Sequence, residues 1–238
     1  MTDMIVRLHV TLLDVDPAIW RRIEIPASST LKNLHDVLQR AMGWFDYHLH
    51  HFEIGGILYG KPSPDDADFD RDIADERKLK LHALAEEGGR VFEYVYDYGD
   101  NWRIALVIEA LQPALPGAVY PRLIEGARRG PPEDVGGPWG YSDFLEAIAD
   151  PDHEQHVELR EWSGGNFDPA DLSVDDINQA LAELAKEKKP RSKKSSAASK
   201  THVNRKHRGR HLTLTAYRRS KRDQSRRISC RAHSVDHS

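Results

Sequence analysis

Three histidines, His48, His50 and His51, follow closely on Asp46. In an extended segment residues i and i+2 share a face, so His48 and His50 would point the same way, as two ligands of a metal centre do. No third ligand adjoins them in the sequence. The competing reading is a histidine-rich strand edge packed beside Trp44 and Tyr47. Glu133 and Asp134 offer a second chemistry, with Asp97 and Asp100 across the sheet. Adjacent carboxylates in a rigid loop can separate in pKa when one is buried, which general acid–base work requires. They can equally accept N–H groups of the loop and of a helix end, and so hold the loop in shape. No serine, cysteine or lysine nucleophile constellation accompanies them, which disfavours catalysis.

Tyr94, Tyr96, Tyr98 and Trp102 make an aromatic patch on and around one hairpin, with Trp20 and Trp139 elsewhere. Such residues build cores and anchor loops. The sharper alternative gives Tyr96, Tyr98, Trp102 and Trp139 to a ligand groove. Asp65, Asp66, Asp68, Asp70, Asp72 and Asp75 imitate a calcium loop. Counted from Asp66, however, the glycine position holds Arg71 and the bidentate glutamate position holds Arg77. A solvated acidic loop is the better reading. Neither a metal nor a cofactor is expected.

The elements that must position these residues are legible from periodicity. Val6, Leu8, Val10 and Leu12 alternate with polar neighbours, and residues 19–25 follow a turn signal at Asp16-Pro17, so a hairpin is expected. Ser29 or Thr30 caps a helix with the stripe Leu31, Leu34, Leu38 and Met42, closed by Gly43. Strands are expected at 52–54, 78–81, 91–96 and 102–109, the last two joined through Asp97-Tyr98-Gly99-Asp100-Asn101. Residues 131–141 hold three prolines and three glycines, too many for a helix interior or central strand, and read as an ordered loop anchored by Trp139 and Tyr141. Helices are expected at 143–149, 152–162 and 174–186. The fold class is α+β: a β-grasp-like mixed sheet with one helix packed across it, then a C-terminal helical segment. The domain spans residues 1–187, and 188–238 form a disordered basic tail.

Charge divides the chain the same way. Residues 188–238 hold 17 Lys and Arg against 2 Asp and Glu, leaving 17 basic and 36 acidic residues before them. The one cysteine, Cys230, lies in the tail, so the body has no thiolate site. No apolar run approaches a membrane span and no signal sequence opens the chain, so a cytoplasmic location is expected.

Several segments carry a family resemblance. They include Asp14-Val15-Asp16-Pro17 with Ile19-Trp20-Arg21-Arg22, then Met42-Gly43-Trp44 and Asp46-Tyr47-His48-Leu49-His50. Tyr96-Asp97-Tyr98-Gly99-Asp100-Asn101-Trp102-Arg103, the Pro/Gly loop, Asp150-Pro151-Asp152-His153 and Gly164-Gly165-Asn166-Phe167-Asp168-Pro169 continue the set. Together these resemble the plasmid pRiA open-reading-frame-three-like family, also labelled insertion-element passenger TnpR-like, over roughly the first 180 residues. The resemblance implies a bacterial and archaeal α+β domain associated with mobile elements. The resolvase suggested by the second label would need a serine nucleophile context and an arginine cluster that the body lacks. A Cys/His metal site, implied for relatives, would pin the loop. Here the corresponding positions read Ile104, Leu123, Gly130 and Val135, so no zinc is expected.

The leading functional reading is a non-enzymatic interaction or ligand-binding module with an unidentified protein or small-molecule partner. A hydrolase using the Glu133/Asp134 loop, with His48 or His50 in reach, is the alternative. Non-specific nucleic-acid binding through Arg205, Lys206, Arg208, Arg210, Arg218 and Arg219 is the third. If the tail binds polyanions, DNA affinity should fall steeply with salt and vanish on truncation after Lys186. A gel-shift series checks this, and equal binding by the truncated body would place the site elsewhere.

Overall fold

The computed structural model describes residues 3–62, 72–86 and 90–187. The calcium-like positions Asp65, Asp66, Asp68 and Asp70, and every tail residue given a nucleic-acid role, lie outside the described residues. No helix among the described residues is long and apolar enough to cross a membrane.

The first strand, β1 (Met4–Leu12), pairs antiparallel with β2 (Trp20–Pro26). Val6, Leu8, Val10 and Leu12 enter the core as their alternation requires. Helix α1 (Leu31–Met42) starts with a reciprocal cap. Thr30 Oγ1 accepts from the Asn33 N–H at 3.3 Å, and Asn33 Oδ1 accepts from the Thr30 N–H at 3.2 Å. The helix ends at Gly43, whose φ of +80° is the left-handed cap conformation. Its stripe Leu31, Leu34, Leu38 and Met42 is buried in one core with the β1–β2 hairpin. The hairpin-plus-helix expectation therefore holds.

Strands β3 (His50–Ile54), β4 (Ile57–Gly60) and β5 (Ile73–Asp75) follow, then helix α2 (Leu81–Glu86). Strands β6 (Val91–Tyr96), β7 (Trp102–Pro113) and β8 (Arg122–Ala127) complete the sheet. Its order is β5-β4-β3-β6-β7-β1-β2-β8. Only the β4–β5 pair is parallel, so the sheet is mixed. Helices α3 (Gly137–Ala149), α4 (His156–Trp162) and α5 (Val174–Glu187) follow it.

The strand expected at 78–81 is corrected. Lys80 makes a single bridge to Thr30, and Leu81 then opens α2 after its N–H is taken by Ser29 O at 2.9 Å. The helix expected from 152 begins only at His156, because 151–155 turn. At the sheet edge, the Asn178 amide of α5 brackets Leu123. It accepts from the Leu123 N–H at 2.8 Å and donates to the Leu123 carbonyl at 3.0 Å. An otherwise open strand edge is thereby covered by a helix.

Two buried charges tie the sheet together. Arg21 donates to Ala41 O at the end of α1 (2.9 Å) and to Trp20 O and Ala127 O (2.8 Å each). Burial lowers its pKa to about 10, so it stays protonated at neutral pH. Glu24 accepts from Arg7 (2.8 Å), Arg122 (2.7 Å) and Gln112 (3.2 Å), joining β2 to its neighbours. Burial alone would raise the Glu24 pKa, but the arginine hydrogen bonds outweigh it and hold the carboxyl below its ordinary value. Such a group stabilises the fold above the ordinary carboxylate range, and that contribution is lost as pH falls through the folded value. Glu24→Gln should therefore cost about 1.5–3 kcal/mol near neutrality. The deficit should shrink below roughly pH 4. Urea denaturation across a pH series reads both.

Candidate functional site

The connection from α1 to β3 bends at residues 46 and 48, with Asp46 at a φ of +59°. Phe45, Tyr47 and Leu49 are exposed, whereas His48 and His50 turn inward. The two histidines do share a side, beside Tyr96 and Tyr94 respectively, but each enters a different cluster. The partners missing from the local sequence come from elsewhere in the fold.

His50 stacks on His35 of α1 with ring centroids 3.6 Å apart, and its Nε2 lies 2.9 Å from Glu76 Oε2. His35 Nε2 meets Asp46 Oδ1 at 2.9 Å, and His35 Nδ1 meets the Tyr94 hydroxyl at 2.8 Å. Gln39 closes the circuit. It donates to the Tyr94 hydroxyl at 3.0 Å and accepts from the Asp46 N–H at 2.9 Å. Burial pushes the Tyr94 hydroxyl well above its ordinary pKa, so it remains a donor. This is a satisfied polar network of the kind that fixes a unique core. His35 and Gln39, four residues apart on the buried stripe of α1, were its sequence signal; neither stood out beside the adjacent leucines.

His48 differs. Its Nε2 is buried without a hydrogen-bond partner, yet lies 3.4 Å from Asp97 Oδ2, 3.2 Å from Asp134 Oδ1 and 3.6 Å from Glu133 Oε2. Glu133 Oε1 accepts from the Phe45 N–H at 2.7 Å and from the Tyr96 hydroxyl at 2.9 Å. Burial, then that carboxylate, raises the Tyr96 pKa far above its ordinary value. Asp97 Oδ1 accepts from the Gly99 N–H at 2.9 Å. Asp100, the other carboxylate of the hairpin turn, accepts from the Gly136 N–H at 3.1 Å and so holds the loop. Glu133, Asp134 and His48 are thus brought together, and His50 is not among them.

The loop itself is anchored differently from expectation. Trp139 is 86% exposed, not buried. Residues 137–141 form the start of α3, where Pro138 is tolerated because first-turn N–H groups have no helical acceptor. The anchors are Tyr141, buried in the core, and Trp44. Trp44 stacks on Tyr96 at 4.8 Å and donates its Nε1–H to the Pro131 carbonyl at 3.1 Å. Glycine is needed where backbones touch. A Cβ at Gly130 would sit 2.1 Å from Met42 O, and one at Gly137 2.3 Å from Asp100 O.

The aromatic groove does not form. Tyr96 and Trp102 are core residues, Tyr98 bonds His51 Nδ1 at 3.0 Å, and Trp139 projects into solvent from α3. A cleft of about 620 Å³ opens instead between the end of α1, residues 129–133 and α5. Phe45, Trp162 and Phe167 give it apolar wall, and Arg40, Arg129, Glu133 and Asp176 give it polar groups.

The model of the plasmid pRiA4b ORF-3-like protein family matches residues 4–176. The chain belongs to this family. The chain is similar to the uncharacterized protein y4hQ of Sinorhizobium fredii, 42% identical over 186 residues that cover 78% of this chain and 94% of the relative. It is also similar to the crystal structure of a protein of unknown function, MM3350 from Methanosarcina mazei. That match has a TM-score of 0.67 and 34% identity, covering 74% of this chain and 98% of the other. The family match spans the elements carrying both histidine clusters, the loop and most of the cleft wall.

Trp139→Ala should shift stability by no more than about 0.5 kcal/mol, as at other exposed positions. Trp44→Ala should cost about 3–5 kcal/mol, because a buried indole and its hydrogen bond are removed together. Chemical denaturation of the two variants compares them directly.

Proposed function

We propose that this protein is a non-enzymatic ligand-binding module whose site is the cleft beneath residues 129–133. The observation that carries the reading is the cleft itself. Its volume falls within the range of small-molecule pockets, roughly 300–1,000 Å³, and it sets aromatic wall against a few polar groups. Phe45 and Trp162 are both substantially exposed at this cleft, where a planar group could cover them. Arg129 lies 4.7 Å over the Phe167 ring, so a cation and an aromatic face occur together. The ligand class that fits is a small amphipathic molecule with a planar apolar body and polar ends.

Three features favour binding over hydrolysis. Glu133 spends Oε1 on the Phe45 N–H and the Tyr96 hydroxyl, the role of a brace. The serine hydroxyls in the cleft wall are also committed, Ser163 to Arg160 O at 3.1 Å and Ser173 to Asp176. Neither serine has a histidine among these partners, so the nucleophile–base pairing of a serine hydrolase lacks support.

Screening aromatic acids and amides by ligand-observed NMR tests the reading. Binders should be found for the full chain, and Phe45→Ala and Trp162→Ala should weaken them about tenfold, the effect of losing roughly 1.4 kcal/mol of contact. Binding that survives unchanged in both variants would remove the cleft as the site.

A further inference from the structure

We propose that His48, Asp97 and Asp134, backed by Glu133, bind one divalent transition-metal cation of the Mn2+ type. The site shares Glu133 with the cleft but does not require a ligand there. His48, Asp97 and Asp134 each present a ligand atom, and the three atoms lie within 4.8 Å of one another. His48 Nε2 lies 3.4 Å from Asp97 Oδ2 and 3.2 Å from Asp134 Oδ1, and two ligands held at about 2.0–2.2 Å from one ion can be that far apart, up to roughly 4.4 Å.

The cluster needs a cation more than its neighbour does. In the His35–His50 network the ring nitrogens of His35 and Nε2 of His50 each meet a hydroxyl or carboxylate at hydrogen-bond distance. His48 Nε2 faces three carboxylate oxygens at 3.2–3.6 Å and is aligned with none. Even a protonated imidazole brings one N–H and one positive charge to three acidic groups. Among the described residues, no Lys or Arg pairs with Asp97 or Glu133. A divalent ion would satisfy the nitrogen and neutralise the carboxylates at once.

The surrounding hydrogen bonds already sort the oxygens. Asp97 gives Oδ1 to the Gly99 N–H and turns Oδ2 toward His48. Glu133 gives Oε1 to Phe45 and Tyr96 and turns Oε2 the same way. Orientation of one oxygen by a fixed donor on the other is how outer-shell groups prepare metal ligands. The three sources are the approach to β3, the end of β6 and the Pro/Gly loop, so the ion would clamp the loop onto the sheet. One imidazole among carboxylates is a predominantly hard donor set, suited to Mn2+ more than to a thiolate-seeking metal.

The test is calorimetric titration of Mn2+ into the full chain after chelation and dialysis, with melting temperature as a second readout. A parallel zinc titration measures any background from the five histidines beyond residue 188. Asp134→Asn, Asp97→Asn and His48→Gln are compared with the unmodified chain. Asp97 and Asp134 have φ of +54° and +59°, which asparagine tolerates, so these two variants preserve the backbone. The expected result is one Mn2+ per chain, a raised melting temperature, and affinity weakened at least about tenfold in each variant. If Asp97→Asn or His48→Gln fails to fold by circular dichroism, the partly exposed Asp134→Asn decides. Absence of Mn2+ binding by the unmodified chain, or equal binding by a folded Asp134→Asn chain, overturns the site.

Discussion

A buried indole N–H has to find an acceptor, and the position of that acceptor governs this molecule's functional end. Trp44 follows the glycine cap of α1, is almost wholly buried, and stacks on Tyr96. Its N–H reaches the Pro131 carbonyl. An unmade bond there would cost the desolvation of the N–H, about 1–3 kcal/mol, so the loop is held where it passes. From that fixed point Glu133 and Asp134 fall beside His48, and Gly136 reaches Asp100. Gly130 and Gly137 follow from the same demand, because backbone approaches backbone at both places.

The regular part of the fold was open to sequence reasoning because its signals are local. A period of two along β1, a capping residue with an apolar stripe in α1, and a glycine at its end each act within one element. The loop was harder. Its proline and glycine content indicated an ordered loop, and Trp139 and Tyr141 were both expected as anchors; only Tyr141 is buried. Trp139 instead rides on the first turn of α3, facing solvent, while the anchoring tryptophan arrives from a segment 87 residues earlier. Periodicity carries no information about such a contact. The short β4, β5 and β8 strands were invisible for a related reason: their pairing, not their own pattern, makes them strands.

The histidines show how much of a site depends on distant partners. The expectation put His48 and His50 on one face of an extended stretch, and a local search then finds no third ligand; the stretch in fact bends at residues 46 and 48. The fold gives His50 an imidazole from α1 and a carboxylate from the β5–α2 connection. It gives His48 carboxylates from the β6–β7 turn and the Pro/Gly loop. Sequence could name Asp97, Glu133 and Asp134 as chemically interesting, but their convergence on one nitrogen is a property of the sheet order.

The two clusters also divide structure from function on physical grounds. A closed hydrogen-bond circuit is at an energetic minimum with nothing added, so the His35–Tyr94–Gln39–Asp46 network is best understood as part of the core. His48 Nε2 faces three carboxylate oxygens without an aligned hydrogen bond, so the second cluster leaves a buried polar atom unsatisfied where the first does not. The resemblance to relatives implied a thiolate site pinning this loop, and the positions concerned here are Ile104, Leu123, Gly130 and Val135. Ile104 and Leu123 are core residues, and Gly130 lies against the end of α1. In this chain the loop is fastened by Trp44, Asp100 and Glu133. Fastening by carboxylates is conditional in a way that fastening by an indole is not, because it depends on what neutralises them.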